Sequence, residues 1–286
     1  MITPKRELVI DNIKNAIEFG DLNLKVEVDD PQLTVVEKQK LVYNYLNYRK
    51  TLKYKICSFF DGVMINLATR YLNFTTVIEG TEKIKDINGS AIITSNHFNP
   101  VDNTIIRTLS RNMKRKNLYI VSQETNLAMP GIIGFLMKYS NLIPISSNIK
   151  YMGMEFPKLL EERINKNEWV LVYPEQEMWF NYRKPRTLKR GAYYYAAKYN
   201  IPVISCFVEI RDLDKMATEK FHKVKYILHI LDPIFPDKNK SIKENSENMC
   251  KIDYAQKKFA YEKAYGKKLE YNFETCDIAG WEYKNN

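Results

Sequence analysis

The chain of 286 residues is poor in cysteine and histidine, with four of the first and three of the second. The cysteines lie far apart and show no Cys-x-x-Cys spacing, which argues against a disulfide framework and against a zinc site built on cysteine. We therefore expect a reduced protein in a cytoplasmic environment. The sequence also lacks a Gly-x-Ser-x-Gly elbow, the motif that would present a serine nucleophile.

Long apolar segments are missing as well. No run approaches the roughly 18 apolar residues that indicate a membrane-spanning helix, and the N-terminus has no apolar core of a secretory signal. There is no internal repeat and no low-complexity tract. At 45% hydrophobic residues the chain has enough apolar material to fold into a globular protein. We expect any contact with a membrane to be made by lying on its surface.

Positive charge, in contrast, is in excess. Lysine and arginine number 44 against 34 acidic residues, which gives a formal net charge of +10. Such an excess indicates an anionic partner, either nucleic acid, an anionic lipid surface, a phosphorylated substrate or an acidic carrier protein, or it serves solubility alone. No recognisable nucleic-acid-binding module is present, so we expect no nucleic-acid partner.

From residue 90 onwards, short apolar runs alternate with segments of helical length. This alternation predicts an α/β domain with a largely parallel central sheet flanked by helices. A further strand over 224–231 has no helix before it and is predicted to be antiparallel or at an edge. The other predicted strands are 91–94, 118–122, 142–146, 169–173 and 202–208.

Helical patterns flank this region. We predict a short, loosely attached helix near 7–19, helical structure over 35–73, and a helix near 241–265 that starts with the capping-box pair Ser241 and Glu244. The last twenty residues are predicted to be peripheral. The chain thus divides into a helical N-terminal segment over 1–74, the α/β domain over 75–240, and a C-terminal helix and tail over 241–286.

The helix over 52–72 carries an amphipathic apolar stripe that includes Phe59 and Phe60. One interpretation is a helix lying in a membrane interface, with Lys50, Lys53 and Lys55 attracted to anionic headgroups. The other is that the stripe packs on the α/β domain. The sequence leaves both open.

The sharpest local signal is the block Ser95-Asn96-His97-Phe98-Asn99-Pro100-Val101-Asp102, which follows a predicted strand. Asn99 is a good N-cap and Pro100 suits a first helical position, which places Asp102 in the first turn, pointing back at His97. A neutral imidazole there could act as general base, Asp102 could orient it, and backbone N–H groups at the helix start could stabilise an oxyanion. Alternatively, Asn99 and Asp102 only cap the helix.

The remaining two histidines do not offer a competing site. His222 and His229 are seven residues apart in or beside one predicted strand, and an odd separation places them on opposite faces. They are therefore not expected to form a metal pair.

Two further clusters follow the strand over 169–173. Glu175 and Glu177 could bind an acceptor hydroxyl or orient His97, or they are loop residues. A basic run from Arg183 to Arg190, with Gly191 after it, leads into a helix and could bind a phosphate, or it is a solvated loop.

Taken together, these blocks resemble the glycerolipid acyltransferases, whose familiar members are the 1-acylglycerol-3-phosphate acyltransferases. The resemblance covers about residues 75–235. It rests on four blocks in order, each at the end of a predicted strand: His97-x4-Asp102 after Ser95-Asn96; Asn141-Leu142-Ile143-Pro144-Ile145; Tyr173-Pro174-Glu175 with the later Lys189-Arg190-Gly191; and Ile201-Pro202-Val203-Ile204.

The resemblance implies that His97 is the base and Asp102 its partner. It implies an acyl thioester as donor, from acyl-CoA or acyl carrier protein, and a hydroxyl of a lysophospholipid-type acceptor such as 1-acylglycerol-3-phosphate. It implies no metal and no bound cofactor, and a peripheral position on the cytoplasmic face of a membrane. The predicted substrate-binding residues are Asn96, Asn99, Pro174, Glu175, Gln176, Arg183, Arg186, Lys189, Arg190 and Gly191.

Two departures from the family pattern affect the acceptor. Ser147 and Met178 stand where the family usually has arginines that contact the acceptor phosphate. The acceptor could therefore be a different lipid or glycolipid, and two other interpretations remain: an acyl thioester hydrolase, and a lipid-binding protein without catalysis. Away from these blocks, a basic cluster could dock an acidic carrier protein or the nucleotide of CoA; it comprises Arg111, Lys114, Arg115 and Lys116.

Overall fold

The computed structural model describes residues 5–28, 31–115 and 117–282. Within them the strands are β1 (Val77–Glu79), β2 (Ala91–Thr94), β3 (Leu118–Gln123), β4 (Leu142–Ile145), β5 (Trp169–Val172), β6 (Val203–Thr218) and β7 (Phe221–Ile230). The α-helices are α1 (Arg6–Glu18), α2 (Val35–Tyr48), α3 (Leu52–Leu72), α4 (Asn103–Asn112), α5 (Gly131–Tyr139), α6 (Phe156–Ile164), α7 (Gly191–Lys198) and α8 (Ile242–Tyr265).

The described strands form one seven-stranded sheet in the order β1-β7-β6-β2-β5-β3-β4. The neighbours from β6 through β2, β5 and β3 to β4 are all parallel, as is β1 with β7, whereas β6 and β7 are antiparallel. The predicted α/β fold with a largely parallel sheet is confirmed. The strand over 224–231 is antiparallel, as predicted, but it does not lie at the edge because β1 covers it.

The two central strands are buried on both faces. In β2, Ile93 packs into a core with α4, while Ile92 packs into a second core with α6 and α7. β5 alternates in the same way, with Leu171 in the first core and Val170 in the second. Such continuous apolar strands are typical of parallel sheets covered by helices on both sides.

This topology gathers the ends of β2, β3, β4 and β5 at one edge of the sheet. Because these strands are parallel and in register, Thr94 pairs with Val172, and Gln123 pairs with Ile145. Residues that immediately follow the four strands therefore share the carboxyl edge, where open α/β sheets bind ligands.

The N-terminal helix is firmly packed, which corrects the expectation of loose attachment. Val9, Ile10 and Ile13 on α1 are buried against Trp179 and Phe180, which follow β5. The C-terminal residues are likewise not peripheral: Ile278 and Ala279 are buried. The apolar spacing on α1 indicates which face of the helix is buried, but the residues that cover it come from distant parts of the chain.

α3 begins and ends at the predicted residues, but its apolar stripe does not pack on the domain. The buried residues of α3 are Tyr54, Asp61 and Thr69, whereas the residues of the stripe are between 41% and 77% exposed. Asp61 accepts a hydrogen bond from the Ser140 hydroxyl at 2.7 Å, and burial raises its pKa to about 6. The helix thus turns its apolar side outward. Among the described residues, none of the helices has both the length and the apolarity needed to cross a bilayer.

α8 carries the capping box predicted at its start, with reciprocal bonds between Ser241 and Glu244. Its inner face bears a fully buried ion pair between Asp253 and Lys257, four residues apart. The Thr94 hydroxyl at the end of β2 donates to Asp253 at 2.7 Å, and Lys257 donates to Thr94 at 3.0 Å. This buried network fastens α8 to the strand that leads to His97.

Candidate active site

His97 and Asp102 lie together in the turn between β2 and α4. The His97 Nδ1 atom is 2.8 Å from Asp102 Oδ2, so the predicted contact is present. The same oxygen accepts the backbone N–H groups of Phe98 at 3.0 Å and Asn99 at 3.2 Å. The Asp102 side chain is 3% exposed and the His97 side chain 21% exposed, so the carboxylate is buried and the imidazole reaches the surface.

The helix that follows starts later than predicted. α4 begins at Asn103 with Asp102 as the preceding residue, and Pro100 lies in a turn rather than at a first helical position. The cause is Asp102, whose carboxylate binds the N–H groups of the turn. Phe98 and Asn99 thus give their N–H groups to Asp102, and Val101 gives its own to the Asn99 side chain at 3.1 Å. The oxyanion site predicted at the helix start is not formed by these three groups.

The hydrogen bond from His97 to Asp102 determines the tautomer of the imidazole. An ionised carboxylate only accepts, so Nδ1 of His97 carries a proton, and Nε2 of the neutral ring has a free lone pair. No described residue hydrogen-bonds Nε2, and the ring is partly exposed. The arrangement presents a proton acceptor at the carboxyl edge of the sheet.

Glu175 is buried directly behind the turn, at 1% exposure. Its Oε2 accepts the backbone N–H of His97 at 3.2 Å and the Arg186 guanidinium at 3.0 Å, while Oε1 accepts the Arg186 N–H at 2.9 Å. The side chain therefore holds the His97 backbone in place and does not reach the imidazole. Both oxygens of its carboxylate accept hydrogen bonds from groups inside the protein.

Arg186 is also buried, and its contacts lie within the fold. Besides Glu175, its guanidinium donates to the carbonyls of Leu22 and Glu177, and it lies 4.5 Å from the centre of the Trp179 ring. Burial and the neighbouring carboxylate act on it in opposite directions, and burial, the stronger effect, lowers its pKa. Through Leu22, this arginine ties the segment after α1 to the loop beneath His97.

Residues 75–209 match a family model described as Acyltransferase. Over these residues the chain is similar to the members of this family. A solved structure similar to the chain is that of the 1-acyl-sn-glycerophosphate (LPA) acyltransferase PlsC from Thermotoga maritima, at 16% identity and a TM-score of 0.48, over 93% of this chain and 98% of that one. A search of curated proteins finds no match. The match to the Acyltransferase model agrees with the family that the four blocks resemble.

The other basic residues of the run from Arg183 to Arg190 are of two kinds: some pair with groups of the protein, and some are exposed. Arg183 donates to the Cys276 carbonyl at 2.7 Å and pairs with Asp212 at 2.5 Å, and Arg190 pairs with Glu247. The Lys189 side chain is exposed and has no ion pair among the described residues, and its backbone N–H donates to Pro174 at 2.8 Å. Gly191 is the first residue of α7. Lys189 is thus an exposed cation of this run, next to Pro174, that no described carboxylate neutralises.

Three other predicted binding residues differ in their surroundings. The Asn96 side chain is buried and exchanges two hydrogen bonds with the Val208 backbone, at 3.0 and 2.8 Å. Pro174 is buried, and Gln176 is exposed with a left-handed backbone at φ 68°. The substrate-binding role of the predicted set remains a prediction.

Polar residues without positive charge occupy the ends of β3 and β4. Gln123 donates to Glu177 at 2.8 Å. Glu124 is buried next to Ser147, and its Oε1 lies 3.4 Å from the Ser147 N–H. Oε2 of Glu124 has no hydrogen-bond partner among the described residues. Carboxylates therefore lie near the two positions, Ser147 and Met178, where the resembled family usually has arginine.

The basic cluster proposed for carrier docking lies at the wrong edge of the sheet. α4 returns the chain from the carboxyl edge to the amino edge, so Arg115 donates to the carbonyls of Ile87 and Asn88, just before β2, and covers the Trp169 ring. Lys116 lies outside the described residues. A ligand at His97 is at the opposite edge from Arg115.

Tyr173 has contacts with both members of the pair, although the sequence analysis assigned it no role. Its hydroxyl donates to Asp102 Oδ1 at 2.5 Å, and its ring stacks on His97 with centroids 4.0 Å apart and planes at 13°. The signal in the sequence was its position at the end of β5, next to β2, where a side chain points at the residues that follow β2.

Proposed function

We propose that the protein transfers a fatty acyl group from an acyl thioester to a hydroxyl of a lysophospholipid-type acceptor, with His97 as general base. The observation that carries this is the buried Asp102 carboxylate on Nδ1, which leaves Nε2 of a partly exposed imidazole as proton acceptor. Nε2 takes the proton of the hydroxyl as its oxygen attacks the thioester carbonyl. The tetrahedral intermediate then expels the thiolate, to which His97 returns the proton.

This route forms no covalent acyl-enzyme. The hydroxyl nearest in sequence, Ser95, is buried and hydrogen-bonds its neighbour Asn96 at 3.4 Å. Activation of a serine would require His97 Nε2 at its hydroxyl, and no such contact exists. Direct attack by the acceptor is the step that the geometry supports.

The donor in this proposal is acyl-CoA or acyl carrier protein, and 1-acylglycerol-3-phosphate is one acceptor to test. The test measures thiol release and acyl ester formation in parallel, with long-chain acyl-CoA or acylated carrier protein and a panel of acceptors. The panel contains 1-acylglycerol-3-phosphate, two other lysophospholipids and a monoacylated glycolipid. We expect thiol release that requires one of these acceptors and equals the ester formed.

Other outcomes of this assay separate the alternatives. Equal thiol release with and without acceptor would identify a hydrolase. No release with any donor and acceptor would identify a lipid-binding protein without catalysis. Either result would contradict the proposal.

We further propose that α3 lies on the cytoplasmic face of a membrane and brings the acceptor to His97. Its apolar stripe is exposed, and so are Lys50, Lys53 and Lys55 at its start, which suits an anionic surface. Asn73, directly after α3, donates to the Thr104 hydroxyl at 2.8 Å, two residues from Asp102. A lipid beside the end of this helix is therefore close to the catalytic turn.

A single charge on the stripe tests this surface. Phe59→Glu is expected to weaken binding to vesicles that contain anionic phospholipid by about tenfold or more, because a phenylalanine that becomes buried in the lipid contributes about 1.5–3 kcal/mol. The measurement is co-sedimentation with vesicles, and Phe259→Glu, a similarly exposed position on α8, is the matched control. If Phe59→Glu folds normally and binds vesicles as well as the control does, α3 is not the membrane surface.

A further inference from the structure

The pair formed by His97 and Asp102 has a third member. We infer that Tyr173 is a positioning residue that holds Asp102 and His97 in their reactive arrangement and sets the pH range in which His97 works. The inference rests on the proposed function, because it concerns how readily His97 accepts a proton. It assigns to Tyr173 a role that the motif His-x4-Asp does not contain.

The first support is the hydrogen bond to Asp102. Oδ2 of this carboxylate accepts three N–H groups, and the Tyr173 hydroxyl accounts for Oδ1 at 2.5 Å. Burial, together with the neighbouring carboxylate, raises the pKa of Tyr173 well above its ordinary value, so that the hydroxyl stays protonated and remains the donor. Both oxygens are therefore satisfied, and the carboxylate cannot rotate without losing a bond.

The second support is the stacking of the two rings. At 4.0 Å between centroids and 13° between planes, the phenol covers one face of the imidazole. Rotation of the imidazole about its bond to Cβ would break this stack and the bond to Asp102 together. One side chain thus restrains both members of the pair.

The hydroxyl also affects the charge that stabilises a protonated imidazole. A donor at Oδ1 withdraws negative charge from Asp102, which weakens its attraction for the imidazolium. The other ionisable groups that face this cluster are Arg107 on α4, which acts on Tyr173, and Tyr226 on β7, which lies near Asp102. Glu175 reaches His97 only at the backbone N–H of that residue. Of the two phenols near Asp102, Tyr173 is the one that makes a hydrogen bond to it.

The test is the pH dependence of kcat/KM for two changes at Tyr173 that act in opposite directions. Tyr173→Phe keeps the stack and removes the donor, so Asp102 stabilises the imidazolium more strongly and the acidic limb is expected to move up by about half a pH unit. The value at the optimum is expected to fall about fivefold, mainly in kcat. Site-specific 3-fluorotyrosine at position 173 is a stronger donor of nearly the same shape, and it is expected to move the limb to lower pH.

Tyr226→Phe is the matched control, because it removes a partly buried phenol that lies near the same carboxylate without a hydrogen bond to it. We expect its acidic limb to stay in place. If both changes at Tyr173 lower the rate without moving the limb, Tyr173 is only structural and the inference is wrong. Should His97→Ala retain full activity, the proposed function itself fails, which is a separate result. The fluorinated protein keeps the test valid if Tyr173→Phe does not fold.

Discussion

His97→Ala is expected to reduce kcat for acyl transfer by about 10³-fold, with little change in KM. The imidazole is the proton acceptor at the reacting hydroxyl, and positioned general bases contribute about 10²–10⁴ in rate. Among the described residues, the His97 side chain hydrogen-bonds only Asp102, and the backbone bonds of His97 remain in the variant. The loss should therefore appear in the chemical step rather than in binding.

His222→Ala is the matched control for this prediction. His222 lies on β7, where its ring nitrogen contacts the Leu213 carbonyl at 3.0 Å, far along the strand from the catalytic turn. We expect it to keep the activity of the unaltered protein. If both variants are equally active, general base catalysis by His97 is excluded.

Lys257→Met is expected to destabilise the protein by about 3–5 kcal/mol, because it leaves a buried carboxylate without its cation. Asp253 and Lys257 are both fully buried, and the lysine also donates to Thr94 and Ser205. Chemical unfolding in urea at pH 7 measures the loss. Since Thr94 ends the strand that leads to His97, activity should decline together with stability.

The adjacent Lys258 provides a control on the same helix. Its side chain is exposed, and its contact with Glu262 is long at 3.9 Å, so Lys258→Met should change the free energy of unfolding by less than about 1 kcal/mol. The double variant Asp253→Asn/Lys257→Met removes both charges and should be more stable than Lys257→Met alone. If Lys257→Met is as stable as Lys258→Met, the buried pair has no stabilising role.

Features set by local pattern were predictable from the sequence. The apolar runs of β2 and β5, the stripe of α3 and the capping box of α8 each depend on residues close together in the chain. The contact between His97 and Asp102 was predictable for the same reason, since only four residues separate them in the turn after β2 and their side chains must lie close together. The helix start at Pro100 was wrong because the Asp102 carboxylate binds the turn instead.

Features that depend on distant residues were not predictable. The basic run suggests a phosphate site, yet Arg186 forms an ion pair with Glu175 inside the protein. Arg183 pairs with Asp212 and donates to the Cys276 carbonyl. The partners come from other segments, and no spacing in the sequence pairs them. Similarly, the outward stripe of α3 could be distinguished from a packed one only when Tyr54, Asp61 and Thr69 were found to be its buried residues.

The central claim is that His97 activates the hydroxyl of a lipid acceptor for attack on an acyl thioester. Its most direct test is the rate of thiol release from long-chain acyl-CoA or acylated carrier protein as lysophospholipid is added, for the unaltered protein and for His97→Ala. We expect release that rises with acceptor, matches ester formation and falls by about 10³-fold in the variant. Acceptor-dependent transfer that is equally fast in His97→Ala would contradict it.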